Sequence, residues 1–499
     1  MANSAEPAPA TSTTSEDPEQ ARQAWRVLSV TSVAVLLAGL NTSTLDVALP
    51  AVARHFSASA TQASWIVLSY MLVNTVLLLV FGRVADIVGR RRFYKIGLTI
   101  LTVASLAAGY APSAEWLAVF RAVQAIGSAA ILTNTTALLT DVFPPRLLSR
   151  ALGINVSGSA ASQVAGPLVG GALVGAFGWR AVFLFNVPVG IFGLIWAHYR
   201  LGPDRPRAER EPFDVLGAVL AFGSIGGIVL ALAEGAAVGW ATPETVTGFV
   251  LAVISIPALI ITQSRRAHPL IDLSMFAERE RLVAFICAFL MAVARFAAVL
   301  LMSLYLQAAS GDDPFQTGLR VIPVAAGLSL ASPVAGMLAT RYSARWLSAG
   351  GMLIICAGMC GMAISIAPDM NVTVLIACLL AVGVGTGIFM TPNTSSIMAN
   401  VAPERRGIAN GVRSMLQNTG FVFSTALALA IVTSGLVPAA KKAAYAGTLS
   451  HLSAAALSTF TSSYRLAFLV LAAIAAAGAV ASLFRSGRTS ELVSTRAGQ

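Results

Sequence analysis

Charged side chains set inside apolar runs are the groups that can do chemistry in this chain. Asp46 is the only acid well inside a long apolar segment, Leu40-Asn41-Thr42-Ser43-Thr44-Leu45-Asp46-Val47-Ala48-Leu49-Pro50; Glu234 stands at the edge of another. Arg121, Arg295 and Arg413 are the cations in comparable settings. A charge placed in lipid is costly, so by default it is functional and has a partner. A carboxylate takes a proton more readily where it is desolvated and gives it up beside an arginine. Asp46 and Arg121 are therefore the candidate proton-coupling pair, with Asp46 the carrier and Arg121 its modulator. The plain alternative is a structural ion pair between the two. Asn41, Asn134, Gln163, Arg295, Asn393, Arg413 and Gln417 are candidates to line a space between helices, although helix–helix hydrogen bonding accounts for the amides equally well.

Other chemistries find no support in the residues. There is no catalytic triad, no metal-ligand spacing and no G-x-x-x-x-G-K-[ST] phosphate loop, which argues against an enzyme, a metal site, a bound cofactor and a nucleotide-driven pump. The four cysteines, Cys287, Cys356, Cys360 and Cys378, lie in apolar runs without a CxxC and read as small buried hydrophobes.

The elements that must hold these residues follow from composition. The 499 residues are 56% hydrophobic and 11% charged, with mean hydropathy +0.77, against about 25% charged in soluble domains. The surface must face lipid, and the fold class expected is an all-α polytopic membrane protein. A spanning helix needs roughly 20 apolar residues. Fourteen such segments are expected, near 28–49, 62–82, 94–113, 116–139, 149–176, 181–199, 214–234, 245–263, 282–305, 316–340, 346–367, 372–398, 405–435 and 464–484. Residues 1–24 are Ala, Ser, Thr, Pro and acidic, and read as a disordered tail, not a cleaved signal peptide.

Assigning the loops alternately to two sides leaves few cations on one of them: Arg54, Arg180, Arg320, Lys441, Lys442 and Arg465. The other side holds Arg22, Arg26, the Arg83, Arg90, Arg91, Arg92, Lys95 cluster and most of the rest, Arg485 included. The positive-inside rule puts both termini in the cytoplasm of a cell (plasma) membrane. The net charge of +11 is then a topology signal, and nucleic acid is not an expected partner. The excess of arginine over lysine fits a bacterial source.

The two ends of the chain echo each other. AIGSAAILTNTTALLTDVFPPRLLSRALG from Ala125 aligns without a gap with GVGTGIFMTPNTSSIMANVAPERRGIANG from Gly383, matching Gly127 to Gly385, Pro145 to Pro403 and Gly153 to Gly411. Repeated halves with a substrate site between them are the usual build of secondary transporters. The expected organisation is a tail (1–24), a six-helix bundle (25–200), an inserted helix pair (201–265), a second six-helix bundle (266–485) and a cytoplasmic tail (486–499).

Four motifs complete the reading. Gly82-Arg83-Val84-Ala85-Asp86-Ile87-Val88-Gly89-Arg90-Arg91-Arg92 is a loop in which glycines permit a tight turn and Asp86 can latch a helix end or an arginine. Phe120-Arg121-Ala122-Val123-Gln124-Ala125-Ile126-Gly127 opens the fourth segment. In the fifth, Gly158, Ser162, Gly166 and Gly170 fall four apart, with Pro167 and Gly171 beside them, which permits close helix contact and a bend. Gly178-Trp179-Arg180 precedes Phe185-Asn186-Val187-Pro188-Val189-Gly190.

The loop resembles the signature loop of the major facilitator superfamily, and the arginine element is similar to that family's R-x-x-Q-G-x-G, with Ala125 at the first glycine. The G-P-x-x-G-G of the fifth segment looks like the element of exporters. Phe185–Gly190, Phe213-Asp214-Val215-Leu216-Gly217, Pro269-Leu270-Ile271-Asp272-Leu273 and Tyr305-Leu306-Gln307 resemble the fourteen-helix drug/proton antiporters, over roughly residues 25 to 435. The resemblance implies a monomeric carrier in membrane lipid that exports a hydrophobic or amphipathic drug or antibiotic, a small-molecule substrate, in exchange for protons. The alternative is a proton-coupled importer of a small organic nutrient, against which the glycine-proline element argues.

The first segment departs from that subfamily, which usually reads L-D-x-T-I-V-N-V-A-L-P. Its acid falls on Asn41 and its amide on Asp46, an exchange that moves the carboxylate about 7.5 Å along a helix. Some twelve-helix multidrug antiporters resemble this chain in carrying an acid four residues before the proline. Three membrane arginines against one aspartate make the interior electropositive, which favours neutral, weakly anionic or zwitterionic substrates over dications.

Overall fold

A computed structural model describes residues 18–202, 214–266, 269–339, 341–367, 370–399, 401, 406–448 and 454–485. The regular structure among the described residues is helical, without a strand. In lipid no water is available to backbone groups, so each segment satisfies its own N–H and C=O by coiling.

One group of helices comprises α1 (Pro18–Ser43), α2 (Leu45–Phe56), α3 (Ala60–Val88), α4 (Arg90–Gly109), α5 (Ala114–Val142), α6 (Pro145–Phe177), α7 (Arg180–Leu184) and α8 (Asn186–Arg200). A hairpin of α9 (Val215–Ala237) and α10 (Pro243–Arg265) follows. The second group comprises α11 (Arg279–Arg295), α12 (Ala297–Ala308), α13 (Pro314–Leu338), α14 (Ala344–Ser365), α15 (Val372–Ala399), α16 (Arg406–Ser434), α17 (Pro438–Ala446) and α18 (Ala454–Leu483). Among the described residues, 12 helical stretches are long and apolar enough to cross a membrane, where 14 segments were expected. The two that fall short are α4, which opens on Arg90-Arg91-Arg92, and α6, in which the described apolar stretch is only Ala165–Phe177.

Side chains turned outward are apolar, as lipid requires: Val253, Ile254 and Ile260 on α10, Leu330 and Met337 on α13, Ile364 on α14. The echo between the chain ends is realised as packing. A side chain on Gly127 of α5 would strike the backbone of Gly97 and Leu101 on α4, and one on Gly385 of α15 would strike Gly351 and Ile355 on α14. Each glycine lets two helices approach to backbone contact at the same place in its group.

The hairpin is built the same way, with Gly227 and Gly248 each against the other's backbone. α9 packs on both α3 and α16, so the hairpin sits at a seam between the groups. Asp214 caps α9 through the Gly217 N–H and also accepts from Gln263 Nε2 at 2.6 Å and Arg266 Nη1 at 2.5 Å, which pins the two hairpin ends together. Glu234, near the other end of α9, accepts from Trp65 Nε1 of α3 at 3.0 Å.

The groups close on each other at the face opposite the arginine-rich loops. Arg54 Nη1 donates to the Ala446 carbonyl at 2.6 Å, Gln307 Nε2 to the Val47 carbonyl at 2.9 Å, and the Ser64 and Tyr445 hydroxyls share a hydrogen bond of 2.7 Å. At the same face a side chain on Gly171 of α6 would collide with the Pro314 carbonyl of α13, and one on Gly318 of α13 with the Pro167 carbonyl of α6. Gly166 and Gly170 lie instead against Ser43 and Thr44, where α1 gives way to α2, while Gly158 has open space beside it.

Candidate functional site

The first group is organised around Arg121, which is 1% exposed. Its Nη1 donates to the Asn41 carbonyl at 3.1 Å, to Asn41 Oδ1 at 3.4 Å and to Gln124 Oε1 at 3.2 Å; its Nε reaches the Ile66 carbonyl at 3.4 Å. The guanidinium lies 4.2 Å from the centroid of the Tyr70 ring, a cation–π contact that holds the charge where lipid would oppose it. Outer partners fix the inner ones. Gln124 donates to Ser105 Oγ, Tyr70 to Ser128 Oγ, and Asn186 Nδ2 to Asn41 Oδ1 at 3.1 Å. Five helices thus contribute to one network in which every acceptor is neutral.

Asp46 stands outside it. The α1 ladder is interrupted at Thr44, and Asp46 falls in the first turn of α2, half-buried, with no hydrogen bond or ion pair among the described residues. Arg121 makes no hydrogen bond or ion pair with it; its partners are Asn41, Gln124, Ile66 and Tyr70. Position 41 touches the arginine and carries an amide, and the carboxylate of Asp46 lies past the break.

The second group has a related break, between α11 and α12 at Phe296. Ser424 of α16 makes it: its Oγ donates to the Val293 carbonyl at 2.6 Å and accepts from the Ala297 N–H at 3.0 Å, taking the place of the direct i, i+4 bond. Arg295 and Phe296 flank this point, and Phe296 stacks on Phe421 with centroids 4.1 Å apart. On α16, Arg413 is held by Asn410 Oδ1, Gln417 Oε1 and Ser414 Oγ, again all neutral.

The other expected residues fall in several places. Asn134 and Asn393 are sealed from open space; Asn134 donates to its own helix at Ala130, and Asn393 donates to the Ala284 carbonyl and accepts from Arg485 Nη1 at 2.8 Å. Arg485, counted with the loop cations in the sequence, is 2% exposed. At the signature loop, Gly89 adopts φ 99°, ψ 124°, a backbone open to glycine. Arg90 Nη1 reaches Asp141 Oδ1 at 2.8 Å and the Ala137 carbonyl at the C-terminal end of α5, where the helix dipole favours a cation; Arg91 is also engaged. The side chains of Gly82, Asp86 and Gln163, and Pro403 with its surroundings, lie outside the described residues. Tyr70, Asn186 and Ser424 were not singled out in the sequence; Asn186 alone carried a signal, the Phe185–Gly190 motif. No group of three or more His, Cys, Asp or Glu gathers among the described residues.

Two helix groups, shut against each other at one face and holding charge within long apolar helices, have the build of a polytopic membrane protein. The chain belongs to the Major Facilitator Superfamily, whose family model matches residues 31–215 and 284–498. It is 30% identical to the multidrug resistance protein Stp of Mycobacterium tuberculosis (strain ATCC 25618 / H37Rv), over 82% of this chain and 76% of that one. It is 30% identical to the tetracenomycin C resistance and export protein of Streptomyces glaucescens, over 81% and 75%. With the puromycin resistance protein pur8 of Streptomyces alboniger it shares 32% identity over 83% of both chains. Its fold is similar to that of a bacterial homologue of the human lysosomal transporter Spinster, solved inward-facing and unoccupied, with TM-score 0.67, 17% identity and coverage of 94% of this chain and 98% of that one.

Proposed function

We propose that this chain is an exporter of hydrophobic or amphipathic drugs or antibiotics, exchanging them for protons by alternating access in a bacterial plasma membrane. Relatives named for drug and antibiotic resistance support the direction of transport. The observation that carries proton coupling is the half-buried carboxylate of Asp46, which has no bonded partner, near an arginine held entirely by neutral groups. Asp46 can change protonation without breaking an ion pair. Arg121, the second member of the pair, is kept in place by Asn41, Gln124 and Tyr70.

In this reading the arginine-rich face is cytoplasmic, both termini lie there, and the closed face points outward. Substrate enters from the inside as Asp46 gives its proton to the cytoplasm. The Gly171–Pro314 and Gly318–Pro167 contacts then part, substrate leaves, and Asp46 is protonated from outside. Release of Arg90 from Asp141 accompanies the switch. The full count is fourteen helices: α4, with 20 residues, spans about 30 Å, and α6, with 33, about 50 Å. The family match skips 216–283, which supports α9–α10 as an insertion at the α3–α16 seam.

The test is proton release from respiring everted vesicles on addition of antibiotics and dyes, with Asp46→Asn beside the wild type. Release that vanishes in the variant is expected. Release that persists moves the carrier elsewhere, and silence toward every compound favours the importer.

A further inference from the structure

Arg295 is 8% exposed and makes no hydrogen bond or ion pair with any described group; its Nε is sealed from solvent without an acceptor. It ends α11, whose 17 residues put it about 24 Å along the helix from Arg279, deep in the membrane. The centroid of the Phe421 ring lies 6.0 Å from its guanidinium carbon. Arg413 and Gln417 precede Phe421 at four-residue steps on the same face of α16. Between Arg279 and Leu483 the acids are Glu280, Asp312, Asp313, Asp369 and Glu404, all at segment ends. Among the described residues no carboxylate of the second group pairs with Arg295 or Arg413, and Asp46 of the first group forms no ion pair. A buried cation without a counter-charge is costly in lipid, and the Ser424 wedge breaks the helix just beside it.

We infer that the substrate is an organic anion, an apolar or aromatic carboxylate whose charge pairs with Arg295 and whose body lies on Phe421. This names the substrate class of the site proposed above and rests on that reading. The anion supplies the charge that the protein omits. Phe296, stacked behind Phe421, keeps the ring in position, and Arg413 adds a second positive charge along the same helix face.

The experiment uses the purified full-length chain and matched probes, 2-naphthoate and 2-naphthamide, which differ in charge but little in shape. Binding is measured for the wild type, Arg295→Gln and Arg295→Lys, each checked for monodispersity and thermal unfolding. Wild type should prefer the carboxylate roughly tenfold or more, the scale of a hydrogen bond to a charged group. Arg295→Gln should erase that preference while leaving naphthamide binding within about twofold, and Arg295→Lys should retain most of it. Equal binding of the two probes, no binding of the carboxylate, or a preference untouched in Arg295→Gln overturns the inference. Proton release from everted vesicles separates it from the exporter reading. Release evoked by neutral or cationic compounds and unaffected by Arg295→Gln leaves the exporter standing and removes the anion site. An Arg295-dependent preference without any proton release does the reverse.

Discussion

Under the proposed alternating access, adding one methyl group at Gly171 should shift the molecule between its two openings. A Cβ there would lie 2.9 Å from the Pro314 carbonyl carbon and 3.0 Å from Phe315 Cα, against a carbon–carbon optimum of about 3.5–4.0 Å. The obstacle on α13 is backbone, so no side-chain rotation relieves the overlap, and α6 and α13 must separate by some tenths of an ångström or more. Overpacking of this kind costs about 1–3 kcal/mol. In the proposed cycle the cost falls on the closed-face state, where the two groups meet at this contact. Gly171→Ala should therefore displace the equilibrium away from that state by roughly 5- to 150-fold. Gly318→Ala, whose Cβ would lie 3.0 Å from the Pro167 carbonyl carbon, should act in the same direction. Spin labels at Phe177 and Val437, both exposed at this face, would report the change by pulsed electron resonance as growth of a longer distance. Folded variants with an unchanged distance distribution would refute the view that these glycines permit closure.

Asn41→Asp would set a carboxylate at the position now 3.4 Å from Arg121 Nη1 and would remove the Asn41 Nδ2 donor, which is buried without a partner. A rise in stability of about 1.5–3 kcal/mol is expected, read as thermal unfolding in detergent. Gly89→Ala forces a side chain into φ 99° and should cost about 1–3 kcal/mol, with faster amide exchange in the Arg90 turn and slower transport. Burial alone would raise the Asp214 carboxyl, but the Gln263 amide, the Gly217 N–H, Arg266 and the Leu270 backbone outweigh it and hold it below its ordinary value. A carboxyl held low stabilises the fold above the unfolded value of about 3.9 and loses that contribution as pH falls through the folded value. Amide exchange at the start of α9, corrected for intrinsic rates, should accelerate on acidification below about pH 4. Asp214→Asn should exchange faster at neutral pH and lose the acid dependence.

Hydropathy made the helices legible, since twelve expected segments reappear as helices able to cross a membrane. The two that fall short do so for a reason visible beforehand in α4, whose first turn is arginine. The repeat was legible too, and Gly127 and Gly385 occupy matching helix contacts. The candidate site could be named from the sequence as residue types, but not as contacts. Arg121 and Asp46 were picked out by their cost in lipid, but no property of the string says that the arginine leans on Asn41 and Tyr70. Asn393 and Arg485, read as a lining residue and a loop cation, are bound to each other. Ser424, which breaks α11 from α12, looks in the sequence like any other serine.

The division has a physical cause. Burial in lipid, the count of charges per loop and the spacing of small residues are sums over neighbours along the chain, so the sequence by itself determined the membrane class, the helices and the repeat. Which side chains meet depends on how each helix is rotated about its axis and where two helices cross. One residue along a helix turns a side chain by about 100°. The exchange of acid and amide between positions 41 and 46 therefore became a separation of charges only when α1 broke at Thr44 and α5 presented Arg121 to Asn41. Tertiary packing alone decided that, and with it which arginines are left without a counter-charge.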